Sequence, residues 1–142
     1  MGYVDKVGLS YTDRLGTCIE VANAASEMGV SMSLAISVAY QESRFNAGLK
    51  SKVGAVGPLQ IIPAYFCPKR RMKNCDLIRS GLNALIVWMT RSKTVREALC
   101  HYNSGNRCTK SSRAYARSVL RRQHRYRVMM RHASWDFAQD DM

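Results

Sequence analysis

Apolar residues recur along this chain with a helical period, and no segment shows the alternating Val-, Ile- and Thr-rich pattern that is typical of β-strands. The pattern predicts a first helix over about 11–28, with Gly29 at the position where a helix-terminating glycine belongs. It also predicts a second helix that is capped by Ser31 or Ser33 and ends at about Phe45. We therefore expect an all-α fold.

Glycines and prolines interrupt the helical pattern over 46–63, which predicts an irregular loop of the kind on which functional sites are commonly built. A second, basic loop covers 68–73, and Asn74 or Asp76 is placed to cap the helix that follows it. The acidic tail, 135–142, is expected to be frayed. Three further helices are predicted, over about 77–89, 94–102 and 111–131.

The chain is long enough and apolar enough for one folded domain, with 142 residues of which 46% are hydrophobic. That composition excludes intrinsic disorder. The apolar runs, such as 84–89, are only a few residues long, whereas a membrane-spanning helix needs roughly 20. The first residues lack a basic region followed by an apolar core, so we see no secretory signal and expect either another delivery route or a trimmed mature chain.

Basic residues outnumber acidic ones by 22 to 10, which gives a formal net charge of +12. Such a charge attracts polyanions, including nucleic acid, anionic lipid and acidic wall polymers. A dense part of it lies on the last predicted helix, in Arg113, Arg117, Arg121, Arg122, Arg125, Arg127 and Arg131. This run is either a solvated face or a surface that adheres to anionic wall or outer-membrane polymers. Nucleic-acid binding is disfavoured because no recognised nucleic-acid module accompanies the charge.

The cysteines are spaced for local pairing rather than for metal binding. Cys67 and Cys75 are eight residues apart, as are Cys100 and Cys108, and there is no Cys-x-x-Cys motif, which makes a zinc site improbable. Two local disulfides formed in an oxidising compartment are one interpretation, and reduced, partly buried thiols are the other. Cys18, inside a helical pattern, is expected to be buried.

Glu42 stands out among the four glutamates because it lies near the end of an apolar helix, just before the irregular loop. A carboxyl group that faces a cleft among apolar neighbours has a raised pKa and stays protonated near neutral pH. A general acid has this property. A solvated glutamate at a helix end is the alternative interpretation.

Four short motifs occur in a fixed order along the chain. They are Glu42-Ser43, Gly57-Pro58-Leu59-Gln60 within 51–63, Tyr102-Asn103-Ser104-Gly105 and Arg113-Ala114-Tyr115. In this order and spacing they resemble the catalytic domain of soluble lytic transglycosylases, which has the goose-type lysozyme-like fold. The resemblance covers about 34–120 and implies a single all-α, lysozyme-like domain with its active-site cleft between helices. We interpret 1–142 as one such domain, in which 121–142 holds the end of the basic helix and the acidic tail.

The resemblance implies that Glu42 is the single catalytic acid and base, and that neither a metal nor another cofactor is needed. It implies glycan contacts for Ser51, Gln60, Ile62, Tyr102, Asn103 and Tyr115. Four positions depart from the family pattern. Pro58 and Leu59 replace the leucine and methionine before the glutamine, which we expect to alter the apolar wall of the cleft. His101 replaces an alanine and Ser111 replaces a frequent glutamate, and we assign no role to His101 or to His124.

The reaction that the resemblance implies is cleavage of peptidoglycan between N-acetylmuramic acid and N-acetylglucosamine, with 1,6-anhydro ends as products. Ordinary glycosidases use two carboxyl groups, whereas none of the six aspartates falls within a motif. One alternative is a muramidase on the same fold, in which water attacks. Another is a basic module that binds peptidoglycan or another polyanion without cleaving it.

The biological role has two interpretations. The resemblance together with the high positive charge suits a phage lysin or a virion-associated wall enzyme, and a secretion-apparatus transglycosylase is the main alternative. Either enzyme acts on the cell wall, in the periplasm or outside the cell. We expect a monomer whose partner is the glycan strand of peptidoglycan.

Overall fold

The computed structural model describes residues 9–140, with side chains described as far as Ala133. Its helices are α1 (Tyr11–Met28), α2 (Met32–Ser43), α3 (Pro63–Phe66), α4 (Leu77–Arg91), α5 (Val95–Ser104) and α6 (Lys110–Asp140), with a 3-10 turn at Pro68–Arg70. Within 9–140 the chain forms no β-strand, so the prediction of an all-α fold is confirmed. None of the helices described is both long and apolar enough to cross a membrane.

Polar side chains close the first turns of four helices. Ser10 caps α1, Ser31 caps α2, Asp76 caps α4 and Thr94 caps α5, in each case by accepting a hydrogen bond from a backbone N–H three residues on. Each cap of this kind stabilises its helix by about 1 kcal/mol. Gly29 ends α1 in the left-handed conformation, with φ +74°, as predicted.

Four helix ends differ from the prediction. Helices α4 and α5 each continue two residues further than predicted, to Arg91 and Ser104. The second helix stops at Ser43 rather than at about Phe45, because Arg44 and Phe45 both take left-handed backbone angles, with φ values of +51° and +65°. The last helix continues to Asp140. The expectation that the tail is frayed was therefore wrong for residues 135–140. The sequence of α6 contains no glycine or proline that would interrupt the helix. The rest of the expected tail, 141–142, lies outside the described residues.

One buried apolar cluster joins the five longer helices, and α2 supplies much of it. The side chains of Ala35, Val38 and Ala39 are fully buried. Cys18 is half-buried rather than buried, and it packs against this cluster, as does the half-buried Tyr126. Other fully buried members are Val21, Leu82, Leu99, Ala116 and Val119. Because α2 is held on its apolar sides, the position of its last turn is fixed.

The segment between α2 and α3 is irregular, as predicted, and packs closely on α4. Gly57 has φ +82°, and a Cβ atom there would lie 2.9 Å from a Leu77 side-chain carbon. A Cβ atom at Gly81 of α4 would lie 2.6 Å from the Leu59 side chain. Only glycine permits both approaches, so these two positions seat the irregular segment against the helix.

Two local disulfides are present, Cys67–Cys75 and Cys100–Cys108, with Cα separations of 5.5 and 5.6 Å. Of the two interpretations of the spacing, local pairing is therefore the one that the structure shows, and these four cysteines are not free thiols. The first disulfide closes the basic loop after α3. The second joins α5 to the turn that precedes α6. Both lie next to the cavity described below.

Candidate active site

A cavity of about 650 Å³ opens between the end of α2, the irregular segment, α3, α4 and the C-terminal part of α5. Its lining includes six of the seven residues that the motifs single out, namely Glu42, Ser51, Gln60, Ile62, Tyr102 and Asn103. The seventh, Tyr115, is half-buried on α6 and reaches the cavity through its contact with Glu42. The fold therefore brings together residues that are spread over more than 70 positions of the chain.

Glu42 occupies the last turn of α2, with its carboxyl group at the cavity. Burial raises the pKa of this carboxyl group from 4.5 to about 7, and the Tyr115 hydroxyl, which donates a 2.8 Å hydrogen bond to Oε2, lowers it by a smaller amount. Both protonation states are therefore accessible near neutral pH. A group with this property is able to give up a proton and later take one back.

Two buried tyrosine hydroxyls flank Glu42 and have different partners. Tyr115 donates to Glu42, whereas the Tyr102 hydroxyl donates a 2.6 Å hydrogen bond to the Leu59 carbonyl and so ties α5 to the irregular segment. Burial and the negative charge of Glu42 raise the pKa values of both phenols well above 10.0. Both tyrosines are consequently neutral hydrogen-bond donors at physiological pH.

Ser43, the residue after Glu42, is buried and links α2 to the irregular segment. Its hydroxyl donates a 2.8 Å hydrogen bond to the Pro58 carbonyl and lies 3.1 Å from the Ala39 carbonyl. The bond to Pro58 holds the last turn of α2 against the segment that forms the opposite wall of the cavity. Ser43 belongs to the Glu42-Ser43 motif, but the motif alone assigns it no role.

Ser51 and Gln60 shape the wall that the irregular segment forms. The Gln60 side-chain amide donates 2.9 Å hydrogen bonds to the carbonyls of Leu49 and Gly57, and the residue takes a left-handed φ of +52°. The Ser51 hydroxyl accepts a 3.0 Å hydrogen bond from the Ala55 backbone. Both side chains line the cavity while closing local turns of the segment.

With this geometry in hand, comparison with protein-family models matches residues 20–124 to the transglycosylase SLT domain. The chain belongs to this family. The match covers well over half of the sequence, and it includes Glu42 and every other residue that the motifs single out. Parallel comparisons with curated proteins and with solved structures found no match. Membership supports lytic transglycosylase activity on peptidoglycan, at the cell wall.

Four aromatic residues in the cavity of this SLT domain were not predicted from the sequence, namely Tyr65, Phe66, Trp88 and His101. The rings of Trp88 on α4 and His101 on α5 stack with centroids 4.9 Å apart and an interplanar angle of 13°. Nδ1 of His101 lies 2.7 Å from the Gly105 carbonyl, which only accepts, so this nitrogen carries a proton. Trp88 falls in the apolar pattern of its helix, which indicated only packing, and His101 was visible only as a departure from the family pattern. His124 is exposed on α6, away from this lining.

The expectation about Pro58 and Leu59 was wrong. Both residues are buried and neither belongs to the cavity lining, because Leu59 turns towards Gly81 of α4. The apolar lining of the SLT domain's cavity comes instead from neighbours such as Ile62, Tyr65 and Phe66. The replacement of the family's leucine and methionine therefore acts on the packing of the irregular segment rather than on the cavity surface.

Acidic side chains are scarce around the cavity of this SLT domain. Among its lining residues Glu42 is the single carboxyl group. Over the described part of the chain, no three His, Cys, Asp or Glu side chains come together in a group that could hold a metal ion. The lining residues can therefore supply proton transfer by one carboxyl group and hydrogen bonds from neutral donors.

Proposed function

We propose that this SLT domain is a lytic transglycosylase that cleaves the bond between N-acetylmuramic acid and N-acetylglucosamine and forms 1,6-anhydro ends, with Glu42 as its acid and base. The observation that carries the proposal is that Glu42 is the single carboxyl group in the described cavity lining and has a pKa of about 7. Inverting and two-carboxylate retaining mechanisms need a second carboxyl group on the other side of the bond. A mechanism in which the substrate supplies the nucleophile does not.

In the first step, protonated Glu42 gives its proton to the glycosidic oxygen. The bond between that oxygen and C1 of the muramic sugar breaks, and the N-acetylglucosamine part leaves with a free hydroxyl group. The acetamido oxygen of the muramic sugar bonds to C1 and carries the developing positive charge as an oxazolinium ion. Glu42 is now a carboxylate, which the hydrogen bond from Tyr115 stabilises.

In the second step, the Glu42 carboxylate takes the proton of the C6 hydroxyl group of the same sugar. The C6 oxygen attacks C1, the bond from the acetamido oxygen to C1 breaks, and the 1,6-anhydro ring closes. Glu42 returns to its protonated state and no water is consumed. The pKa of about 7 suits both steps because the group must act first as an acid and then as a base.

The other residues that we assign to the site hold the glycan and the carboxyl group. Tyr115 orients the Glu42 side chain in this proposal, because the Tyr115 hydroxyl donates a hydrogen bond to Oε2 of Glu42. Exposed Asn103 and half-buried Ile62 line the cavity and offer an amide and an apolar surface to the sugars. Contacts of the same kind are assigned to Ser51, Gln60 and Tyr102.

Mass spectrometry of fragments released from purified Gram-negative sacculi tests this proposal, with Glu42→Gln as the control because glutamine keeps the size and polarity of the side chain but does not titrate. We expect fragments that are lighter by one water than reducing-ended fragments, and no release by Glu42→Gln. Reducing-ended fragments would instead identify a muramidase. Equal release by Glu42→Gln would contradict the assignment of Glu42. No release by either protein would favour a binding module.

We propose one catalytic domain that acts as a monomer on the outer side of the cytoplasmic membrane. A buried cluster joins its five longer helices, so the described residues form one folded unit. The two disulfides support an oxidising compartment. We favour a lysin of phage type over a secretion-apparatus enzyme because the high positive charge attracts the protein to anionic cell-envelope polymers. Complete clearing of sacculi supports the lysin, and release limited to a small fraction of the wall supports the alternative.

We also propose that the arginines of α6 hold the enzyme near anionic wall or outer-membrane polymers. Between Lys110 and Ala133 the helix has no acidic residue, and its arginines are exposed except for Arg122. The Arg122 guanidinium lies 3.7 Å from the centroid of the Tyr40 ring, so this side chain packs α6 on α2. Retention on vesicles that contain anionic lipid should fall in Arg125→Gln/Arg127→Gln, and unchanged retention would contradict the role of α6.

A further inference from the structure

The loop that the Cys67–Cys75 disulfide closes carries four basic side chains and no carboxyl group. These are Lys69, Arg70, Arg71 and Lys73, and all four are exposed. We call 67–75 the cationic loop. In the described part of the chain none of the four pairs with a carboxylate, whereas the nearby Asp76 caps α4 and lies 3.6 Å from Arg79. The charge of the loop is therefore free to meet an external anion.

The backbone of the cationic loop holds this charge in a small space. Lys69 and Arg70 have φ values of +55° and +58°, and Asn74 has +60°, which are left-handed conformations that residues other than glycine seldom take. The disulfide keeps the two ends 5.5 Å apart at their Cα atoms. Basic side chains that a closed loop holds together repel one another, and an anion that binds among them relieves this repulsion.

The cationic loop borders the candidate active site at both of its ends. Tyr65 and Phe66, just before it, line the cavity, and its end residues Cys67 and Cys75 pack in one cluster with Ile61 and Ala84, which also line the cavity. The two aromatic rings before the loop form an edge-to-face pair, with centroids 6.4 Å apart. A polymer that lies in the cavity therefore passes close to the loop.

We propose that the cationic loop binds the carboxylates of the stem peptides that peptidoglycan strands carry, an inference that rests on the proposed function. Stem peptides are attached to the muramic sugars, and an extended peptide spans about 3.5 Å per residue. A stem on a sugar bound in the cavity thus reaches a loop that borders it. Arginine pairs with carboxylates through two parallel hydrogen bonds, which gives Arg70 and Arg71 a suitable chemistry. The loop thereby selects strands that still carry peptides over bare glycan.

The test compares three substrates: intact Gram-negative sacculi, sacculi whose stem-peptide carboxyl groups have been converted to amides, and glycan strands from which the peptides have been removed. The variant is Arg70→Gln/Arg71→Gln. The control is Lys93→Gln/Arg96→Gln, at exposed positions near the start of α5, which removes the same charge outside both the cationic loop and the arginines of α6. On intact sacculi we expect KM to rise about three- to tenfold in the loop variant. On amidated sacculi and bare strands the loop variant should match the wild type.

Three results would overturn the inference. They are an equal loss in both double variants, an equal loss on bare strands, and wild-type binding to amidated sacculi as tight as to intact ones. Pelleting with sacculi measures binding independently of catalysis when the loop change is added to Glu42→Gln. If the wild type releases no anhydro fragments, the proposed function fails, while the pelleting result still decides whether the loop binds carboxylates.

Discussion

The hydroxyl of Tyr115 on α6 donates a 2.8 Å hydrogen bond to Oε2 of Glu42 on α2, across 73 residues of sequence. A donor of this kind stabilises the carboxylate more than the protonated acid, so it lowers the pKa of Glu42 and partly opposes the effect of burial. The long basic helix is thus part of the candidate active site, because its first turns hold the residue that adjusts the acidity of Glu42.

Replacement of Tyr115 by phenylalanine should move the alkaline limit of activity to higher pH. The change removes the hydrogen bond that lowers the pKa of Glu42, so the pKa rises above about 7 and the acid form persists further into the alkaline range. The midpoint of the alkaline limb of kcat/KM against pH measures this shift. The matched control is Tyr126→Phe, a half-buried tyrosine of the same helix that packs on the core. A limb that stays in place or moves to lower pH would contradict the role given to Tyr115.

Glu42→Gln should stabilise the folded protein, and increasingly so as the pH rises. The pKa of Glu42 is raised from 4.5 to about 7 on folding, so between these values the folded state binds more protons than the unfolded state. Wild-type stability then falls as the pH rises through this window, by roughly 1–2 kcal/mol for a partly exposed group, and glutamine does not show this loss.

Thermal unfolding at pH 4, 5.5, 7 and 8, values that span this window, measures the effect. The difference in Tm between the variant and the wild type should grow up to about pH 7 and then level off. Glu20→Gln, at an exposed position of α1, is the control and should show no such growth. A difference that is constant over the range would mean that burial does not shift the pKa of Glu42.

The sequence predicts those parts of the fold that depend on local signals. Helix α1 ends and helix α4 begins near the expected positions, because Gly29 terminates the first helix and Asp76 caps the second. The end of α2 was missed because Arg44 and Phe45 take left-handed angles that their side chains do not indicate. The continuation of α6 was missed because an acidic composition was interpreted as fraying, although no helix-breaking residue is present.

In the candidate site too, some features could be predicted from the sequence and others could not. The motif order selects Glu42 and the residues that share its cavity, since a family pattern records which positions meet in space. The stack of Trp88 on His101 was not predictable, because it depends on how α4 packs against α5. For the same reason, neither the bond from Ser43 to Pro58 nor the contact of Arg122 with Tyr40 follows from the periodicity of a single helix.

His101→Ala should weaken glycan binding without removing catalysis. The change removes the ring that stacks on Trp88 and the hydrogen bond to Gly105, so both the shape of the cavity wall and the position of the following turn are altered. An aromatic contact of this kind is worth about 0.5–1.5 kcal/mol, which corresponds to a loss in kcat/KM of roughly two- to tenfold. We expect the loss mainly in KM, as steady-state kinetics on soluble glycan strands would show.

Two further variants separate the contributions of His101. The change His101→Phe keeps a stacking ring and removes the hydrogen bond, so it should retain more activity than His101→Ala if the stack dominates. Exposed His124, on α6, is the control, and His124→Ala should match the wild type. A large drop in kcat for His101→Ala at unchanged KM would show instead that His101 acts on the chemical step.

Reduction of the disulfides should lower both stability and activity. The Cys100–Cys108 bridge encloses the part of the chain that carries Tyr102 and Asn103, and Cys67–Cys75 follows the aromatic residues of the opposite wall. Closing a loop of this length stabilises a protein by about 2–3 kcal/mol, so a reductant should lower Tm by several degrees and loosen both walls of the cavity. Activity and Tm measured with and without dithiothreitol test this.

The double variant Cys100→Ser/Cys108→Ser assigns the effect to one bridge. It should reproduce most of the loss of activity without any reductant, since this bridge holds the wall next to Glu42, and what remains should still respond to dithiothreitol through Cys67–Cys75. Unpaired Cys18 provides the control, and Cys18→Ser should leave the response unchanged. If the fully reduced protein keeps wild-type activity, the bridges do not maintain the cavity, and the argument from disulfides to an oxidising compartment loses its functional basis.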